Sequence, residues 1–278
     1  MDGLKTMNKI TPTPKQIDFV ISTYEKVHKT KLNLSNPRTF TEKLSWLKLY
    51  DSSFLKAFAA DKSTVHQFYV KQVGKDIGIK PHAIVNKFDD IRWNNLPNDI
   101  ILKCNHGSGF NKILHDHKPD TIKAISADFY RWDSINYGEL WGELYYSLIP
   151  HKIVIEPFID NLIDTKFFCF NGIPKFYQID RHFQEHRMNF YYVDGSPVKW
   201  LSNVEYPANY DIIDPLPSHL DTMIDYAVKL SKPFKFVRVD FYRHGDDIYG
   251  GELTFIPGAA NQKYLGDGDA KLGDMLDL

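Results

Sequence analysis

Apolar residues recur at helical spacing over residues 14–29 and 41–50, so the chain opens on two amphipathic helices, the second capped by Thr39 or Thr41. Asn36-Pro37 marks the turn between them. A third helical run opens at Asp61-Lys62 and ends near Val73-Gly74. Residues 78–81 then lead into a short strand at 82–85, a βα-type unit. Strand patterns follow at 99–104 and 112–115, on either side of a polar loop, and 121–146 reads as helical, with Trp132, Trp141 and several tyrosines spaced as core. Strands are expected at 152–156 and 166–170. After Asn171-Gly172 a further strand, 175–180, forms a hairpin with the second of these. An amphipathic helix is expected at 218–230. Mixed helices and strands with many antiparallel pairs predict an α+β fold rather than a doubly wound parallel sheet.

The last hairpin, FVRVDFYRHGDDIYGGELTFIP at 236–257, departs from simple packing. Alternation sends Val237, Val239 and Phe241 to one face and Arg238 and Asp240 to the other, while Glu252 and Thr254 share a face of the second strand. A three-residue loop at Gly245, Asp246 and Asp247 would set Asp240 opposite Glu252, whereas a two-residue loop would break that pairing. Facing acids cost up to about 1 kcal/mol, so a cation belongs between them. Oxygen ligands on rigid strands suit Mg²⁺ or Mn²⁺, with open positions for phosphate oxygens. Both acids would then sit at the metal rather than in the core. The alternative is a surface hairpin whose acids point into water.

Length and composition narrow the classes. The 278 residues suit one large or two modest domains, and 43% hydrophobic and 14% aromatic content describe a folded protein. A net charge of -1 argues against nucleic acid as a partner, so any phosphate site is local. Cys104 and Cys169 are too few for a disulfide framework or a four-cysteine zinc site. The opening residues lack a secretory core, and no run approaches the roughly 18 apolar residues that span a bilayer, so a cytoplasmic location is expected.

Lys103 and the following Gly107-Ser108-Gly109 form a second constellation. Glycines flanking a small residue let backbone N–H groups converge on an anion, and the lysine supplies a compact charge for phosphate oxygens. A plain hairpin turn is the alternative. Pro157 interrupts regular pairing after Glu156, so the extended segment through Phe158 and Ile159 suits main-chain contacts to adenine, with Glu156 accepting from its amino group and Asp164 reaching a ribose hydroxyl. Taken singly, these are also solvated acids at strand ends. His115-Asp116-His117 reads as a solvated loop rather than a metal fragment. Asp180-Arg181-His182, with His186 and Arg187, forms either a basic cluster for an acidic acceptor or a charged surface loop.

In order, Lys62, Lys103 with its glycine loop, Glu156, Asp164, Arg238, Asp240 and Glu252 resemble the ATP-grasp superfamily. The segments NPRTFTEKLSWLKLYD, DKSTVHQFYVKQVGKDIGIKP, ILKCNHGSGFNKI, DTKFFCFNGIPKFYQIDR and VRVDFYRHGDDIYGGELTFIPG are similar to its TupA-like group, associated with teichuronopeptide and other surface-polysaccharide biosynthesis, over about residues 33–261. The resemblance implies an N-terminal helical and βα portion (1–95), a mobile glycine-loop lid (96–156) and a C-terminal α+β portion (157–278) carrying the metal. Lys62, Lys103 and, as a further phosphate ligand, Lys199 would contact phosphates, the 107–109 loop would close over them, residues 156–159 would hold adenine and Asp164 the ribose. Asp240 and Glu252 would bind Mg²⁺, and Arg238 would stabilise charge on an acyl phosphate. The usual Glu-x-Asn ending reads Glu252-Leu253-Thr254 here, a weaker ligand set for a second metal.

The implied reaction activates a carboxylate with ATP and joins it to an amine, with a uronic-acid sugar and an amino acid or amino sugar as the substrate class, on small-molecule or glycan-linked partners. Two alternatives stand beside it. One is a glycosyltransferase using Asp267-Gly268-Asp269, although a solvated loop in a glycine-rich tail suits that segment better. The other is a non-catalytic nucleotide-binding module, which Thr254 allows.

Overall fold

The structure is a computed structural model, and it describes residues 9–181, 187–211 and 213–278. α1 (Pro14–His28) and α2 (Phe40–Tyr50) each start on a reciprocal capping box, Thr13 with Gln16 and Thr39 with Glu42, which satisfies backbone donors at both helix starts. Thr41 is not the cap. Its N–H and hydroxyl donate to Asp269 at 3.0 and 2.6 Å, locking α2 to α8 (Gly268–Asp274) near the end of the chain. Asp267-Gly268-Asp269 is therefore a helix start tied into the fold, not a solvated loop.

Two further differences concern helix breaks. The helical run expected from Asp61 starts only at Val65, as α4 (Val65–Val73), and a turn carrying Lys62 separates it from α3 (Phe54–Ala60), which the sequence pattern did not predict. The long helix expected at 121–146 breaks into α5 (Pro119–Asp133), α6 (Tyr137–Trp141) and a 3₁₀ turn, Leu144–Leu148. Asn136 caps α6 by accepting from the Glu139 N–H, and Gly142, at φ +72°, ends it. Trp132 is buried as expected, but Trp141 is exposed.

All named strands pair antiparallel, in two sheets. β1 (Ala83–Val85), β2 (Ile100–Cys104), β3 (Asn111–Leu114) and β4 (Ile153–Pro157) form a four-stranded sheet in the order β1-β4-β2-β3. Its core, including Phe88, Leu102, Phe129, Trp132 and Ile155, is covered by α5 and is distinct from the main core. β1 and the turns at 88–95, assigned from sequence to the N-terminal portion, pack into this smaller body.

The larger sheet runs β7-β6-β5-β8-β9, from β5 (Ile163–Phe170), β6 (Ile173–Arg181), β7 (Arg187–Tyr192), β8 (Phe236–His244) and β9 (Asp247–Thr254). α7 (Leu220–Ser231) packs on β5, β6 and β8. The β8–β9 loop has two residues, since His244 pairs with Asp247, not the three expected. Asp240 nevertheless faces Glu252, because a bulge beside Gly250 and Gly251 shifts the register by one. A Cβ at Gly251 would stand 2.9 Å from the Tyr242 ring and 3.0 Å from the Asp240 carbonyl oxygen, so the bulge requires glycine there.

Candidate active site

Register across the larger sheet places one residue from each of four strands in a row. Gln178 on β6 faces Lys166 on β5, Lys166 faces Asp240 on β8, and Asp240 faces Glu252 on β9. Arg238, Thr254, Asp164, Asp180 and Tyr242 share this face by the two-residue period of strands.

Arg238 forks onto Asp240, with Nε to Oδ1 at 2.7 Å and Nη2 to Oδ2 at 2.6 Å. The same Nη2 reaches Thr254 Oγ1 at 3.2 Å and lies 3.6 Å from Glu252 Oε1, and the Thr254 hydroxyl donates to Glu252 Oε1 at 3.1 Å. Asp240 is only 2% exposed, contrary to its expected place outside the core. Burial pushes the Asp240 carboxyl upward while Arg238 and Lys166 pull against it. For Glu252 burial also pushes upward, but Lys62, Arg238 and Lys166 outweigh it and hold the carboxyl below its ordinary value. Lys166 bonds Asp164 Oδ2 and lies 3.4 Å from Asp180 Oδ2, which itself neighbours the Gln178 amide donor at 2.7 Å on Oδ1.

The smaller sheet closes over this face. Lys103 pairs with Glu156 at 2.6 Å across β2 and β4 and lies 5.9 Å from the centre of the Tyr242 ring. Lys62 donates to the Gly107 carbonyl at 2.8 Å, fixing the glycine loop. Burial lowers the Lys62 pKa, and Glu252 opposes that shift. Between the sheets lies a cavity of about 220 Å³ lined by Lys62, Lys103, Ser108, Gly109, Glu156, Asp164, Lys166, Asp240, Tyr242 and Glu252. A second cavity of about 430 Å³ shares Ser108 and Glu252 with it and adds Tyr137, Glu143, Tyr146, Arg238, Thr254, Gly258 and Ala259. One wall of the second cavity is a left-handed turn in which Gly258, Ala259 and Ala260 have φ of 54°, 51° and 60°. Positive φ at two alanines stores strain of order 1–3 kcal/mol each.

The structure thus brings together Lys62, Lys103, Ser108, Gly109, Glu156, Asp164, Asp240 and Glu252, with Arg238 beside them and Gly107 held by Lys62. Pro157 ends β4 opposite Ile100, Phe158 packs edge-on to His115, and Ile159 follows; none of the three lines either cavity. Lys199 is exposed in a turn away from both. Arg187 lies on the opposite face of the larger sheet, buried, with Nη2 3.4 Å from Asp214 Oδ1. Arg181 ends β6 opposite Arg187, and its side chain, with His182 and His186, lies outside the described residues. His115 bonds Asp99 and His117 the Leu96 carbonyl, so that triplet is tied into local structure.

Sequence reasoning missed Lys166, Gln178, Tyr242 and Glu143, and placed Asp180 only in the cluster with Arg181 rather than beside Lys166. The alternation Asp164-Thr165-Lys166 held a signal for the first, because a lysine and an acid on one face of a strand otherwise packed with phenylalanine need a polar cavity.

A magnesium ion fits the chemistry of this donor set. Both oxygens of Asp240 are taken by Arg238, whereas the Glu252 side chain is 34% exposed and has an oxygen free of Thr254. Among the described residues no three His, Cys, Asp or Glu side chains cluster to hold an ion by themselves. Mg²⁺ commonly takes one or two carboxylates and completes its shell with waters and phosphate oxygens, so two facing acids suffice. No helix among the described residues is long and apolar enough to cross a membrane.

A family model described as TupA-like ATPgrasp matches residues 42–277. Among curated proteins none matches the chain. Solved structures similar to it include D-alanine–D-alanine ligase from Bacillus anthracis, at 19% identity and TM-score 0.48, over 78% of this chain and 66% of that one. The corresponding ligase from Helicobacter pylori is 17% identical, with TM-score 0.46, over 86% of this chain and 69% of that one. The ATP-grasp ligase PsnB, complexed with a minimal precursor, is 12% identical, with TM-score 0.42, over 86% and 65%. The chain therefore spans just under two thirds of the length of the Bacillus ligase.

Proposed function

The chain belongs to the TupA-like ATP-grasp family, and from that premise we propose that it is an ATP-dependent ligase that joins a carboxylate to an amine through an acyl phosphate. The observation that carries the reading is the row Gln178, Lys166, Asp240 and Glu252 beneath Lys62, Lys103 and the glycine loop, continuous through Ser108 and Glu252 with a second cavity holding Arg238.

ATP lies in the first cavity. Lys62, Lys103 and Lys166 neutralise its phosphates, the 107–109 loop covers them, Glu156 lines the adenine end, and Asp164 takes the ribose; Pro157, Phe158 and Ile159 lie outside the cavity, with the Phe158 N–H donating to the Asp99 carbonyl. Lys103 and Lys166 already hold Glu156 and Asp164, so nucleotide entry exchanges these ion pairs for contacts to phosphate and hydroxyl groups. Glu252, with Asp240, would hold Mg²⁺, which when bound neutralises charge on the β- and γ-phosphates. The second cavity takes the carboxylate and the amine. Arg238, aimed there from β8, stabilises the oxyanion of the intermediate that forms when the amine attacks the acyl phosphate. The substrate class that the reading favours is a uronic-acid sugar and an amino acid or amino sugar of cell-surface polysaccharide.

Glycosyl transfer is the weaker alternative, because both carboxylate oxygens of Asp269 accept from Thr41. The deciding experiment mixes the protein with ATP, Mg²⁺ and a panel of uronates and amines, free and as UDP-sugars. ADP release only when both a carboxylate and an amine are present supports the ligase. UDP release, or nucleotide binding without turnover, refutes it.

A further inference from the structure

Besides Glu252, a second acid reaches the second cavity, from the segment between α6 and the 3₁₀ turn. Glu143 is 4% exposed and lines the cavity together with Tyr146, Arg238 and Thr254. The Tyr145 hydroxyl donates to its Oε2 at 2.7 Å, and no other hydrogen bond to this carboxylate occurs among the described residues. No cation among them comes within salt-bridge distance either. Lys48 on α2 acts on Glu143 from farther away, and its Nζ donates to the Trp141 carbonyl at 3.0 Å. Burial pushes the Glu143 carboxyl up to about 7; Lys48 and the Tyr145 hydrogen bond work against that, and Glu252 adds to it. Tyr137 and Tyr146 complete the titratable groups around it.

A buried carboxylate without a cation, in a cavity that otherwise offers a guanidinium, gives that cavity two unlike ends. The Arg238 end suits an acyl phosphate, whose charge is negative. The Glu143 end repels a carboxylate and suits a cation. An amine is a cation at neutral pH, and it has no lone pair for attack until it loses a proton. We propose that Glu143 receives the ammonium group of the amine substrate and removes its proton before the C–N bond forms.

This rests on the ligase reading of the same site. The ammonium gives one proton to Glu143, leaving a neutral amine and a protonated carboxyl. The amine lone pair attacks the acyl carbon, the C–O bond to phosphate breaks, and the second amine proton leaves on the departing phosphate. Glu143 then returns its proton to solvent. A group whose proton affinity is matched to the working pH contributes roughly 100-fold or more to such a step.

Two measurements test this. The first needs no substrate: the protein is labelled with ¹³C at glutamate Cδ, and the Glu143 signal is identified by its loss in Glu143→Gln, or in Glu143→Asp should the glutamine chain not fold. With Mg²⁺ and a non-hydrolysable ATP analogue, saturating ethylammonium should lower the midpoint of that signal by about one unit; an unmoved midpoint overturns the proposal. The second compares nucleophiles, using a carboxylate and amine that support ADP release. Glu143→Gln should lower amine-driven turnover roughly 100-fold or more, while hydroxylamine, already uncharged near neutral pH, should still be acylated near the wild-type rate, and Glu143→Asp should recover part of the amine-driven rate. Amine-driven turnover that survives in Glu143→Gln, or an equal loss with both nucleophiles, overturns the role of Glu143. Wild-type protein that releases no ADP with either nucleophile would instead overturn the ligase reading, and the labelled measurement would still decide whether Glu143 binds an ammonium.

Discussion

At the residue scale, the two facing acids differ in what they do for the fold. Glu252 is partly open to the cavity, so Glu252→Gln should abolish ATP turnover while the melting temperature changes little. Assays at saturating ATP and Mg²⁺, alongside calorimetry, check both halves of that expectation. Asp240 is buried and holds both forks of Arg238, so Asp240→Asn should also destabilise the protein, by about 3–5 kcal/mol, because it breaks a buried ion pair and leaves a guanidinium without its partner. Urea unfolding of the two variants should separate them clearly. Alternation in the sequence was enough to put Arg238, Asp240 and Glu252 on one face. It could not tell that Arg238 would satisfy Asp240, since a bidentate contact depends on side-chain reach and not on register. Lys166 stayed hidden for a similar reason: its acidic partners Asp164 and Asp180 lie on two strands, and only their pairing brings them to it.

At the element scale, the β8–β9 hairpin reaches its pairing by a route that sequence reasoning had ruled out. A two-residue loop ought to slip the register, and the bulge beside Gly251 restores it. A β-branched side chain there would meet the Tyr242 ring and the Asp240 carbonyl, so Gly251→Val should cost about 1–3 kcal/mol and turnover with it. Chemical denaturation and an ATP assay on the same preparation test this.

The smaller sheet carries its own pH dependence. His106, next to the glycine loop, donates through Nε2 to the Trp132 carbonyl at 3.0 Å, stacks on His151 at 3.6 Å, and leaves Nδ1 buried without a partner. Burial lowers its pKa from 6.5 to about 4. Between those values the unfolded chain binds a proton that the folded chain does not, so this contribution is present above pH 6.5 and is lost as pH falls toward 4. The loss amounts to at most about 3 kcal/mol. Unfolding midpoints at pH 7 and pH 4.5 should therefore differ more in wild type than in His106→Gln. Neither the stack nor the burial was legible beforehand, because both depend on Trp132 and His151 arriving from elsewhere in the chain.

At the scale of the whole molecule, two bodies with separate cores face each other across the cavity. Their strands other than β7, the antiparallel pairing and the α+β class were legible from alternation and turn residues; β7, which opens on Arg187, was read only as part of a charged cluster or loop. The place of β1 in the smaller sheet and the broken helix after α5 were not, since three-residue strands and single-turn helices carry too little periodicity to read. The first cavity, at about 220 Å³, falls below the roughly 300–1,000 Å³ usual for a site that buries a ligand of this kind, so the proposed reading has the smaller body swing outward when a nucleotide enters. Hydrogen exchange at residues 105–112 should accordingly slow when MgATP analogue is added, and unchanged exchange would count against a moving lid.

The central claim is that a nucleotide and its metal lie between the two sheets, with Glu252 on the metal. Crystals grown with Mn²⁺ and a non-hydrolysable ATP analogue, measured at the manganese absorption edge, test it most directly. The account predicts one anomalous peak beside the Glu252 carboxylate, with phosphates between it and Lys62 and Lys103. Manganese or nucleotide bound elsewhere, with the Glu252 carboxylate unliganded, would contradict it.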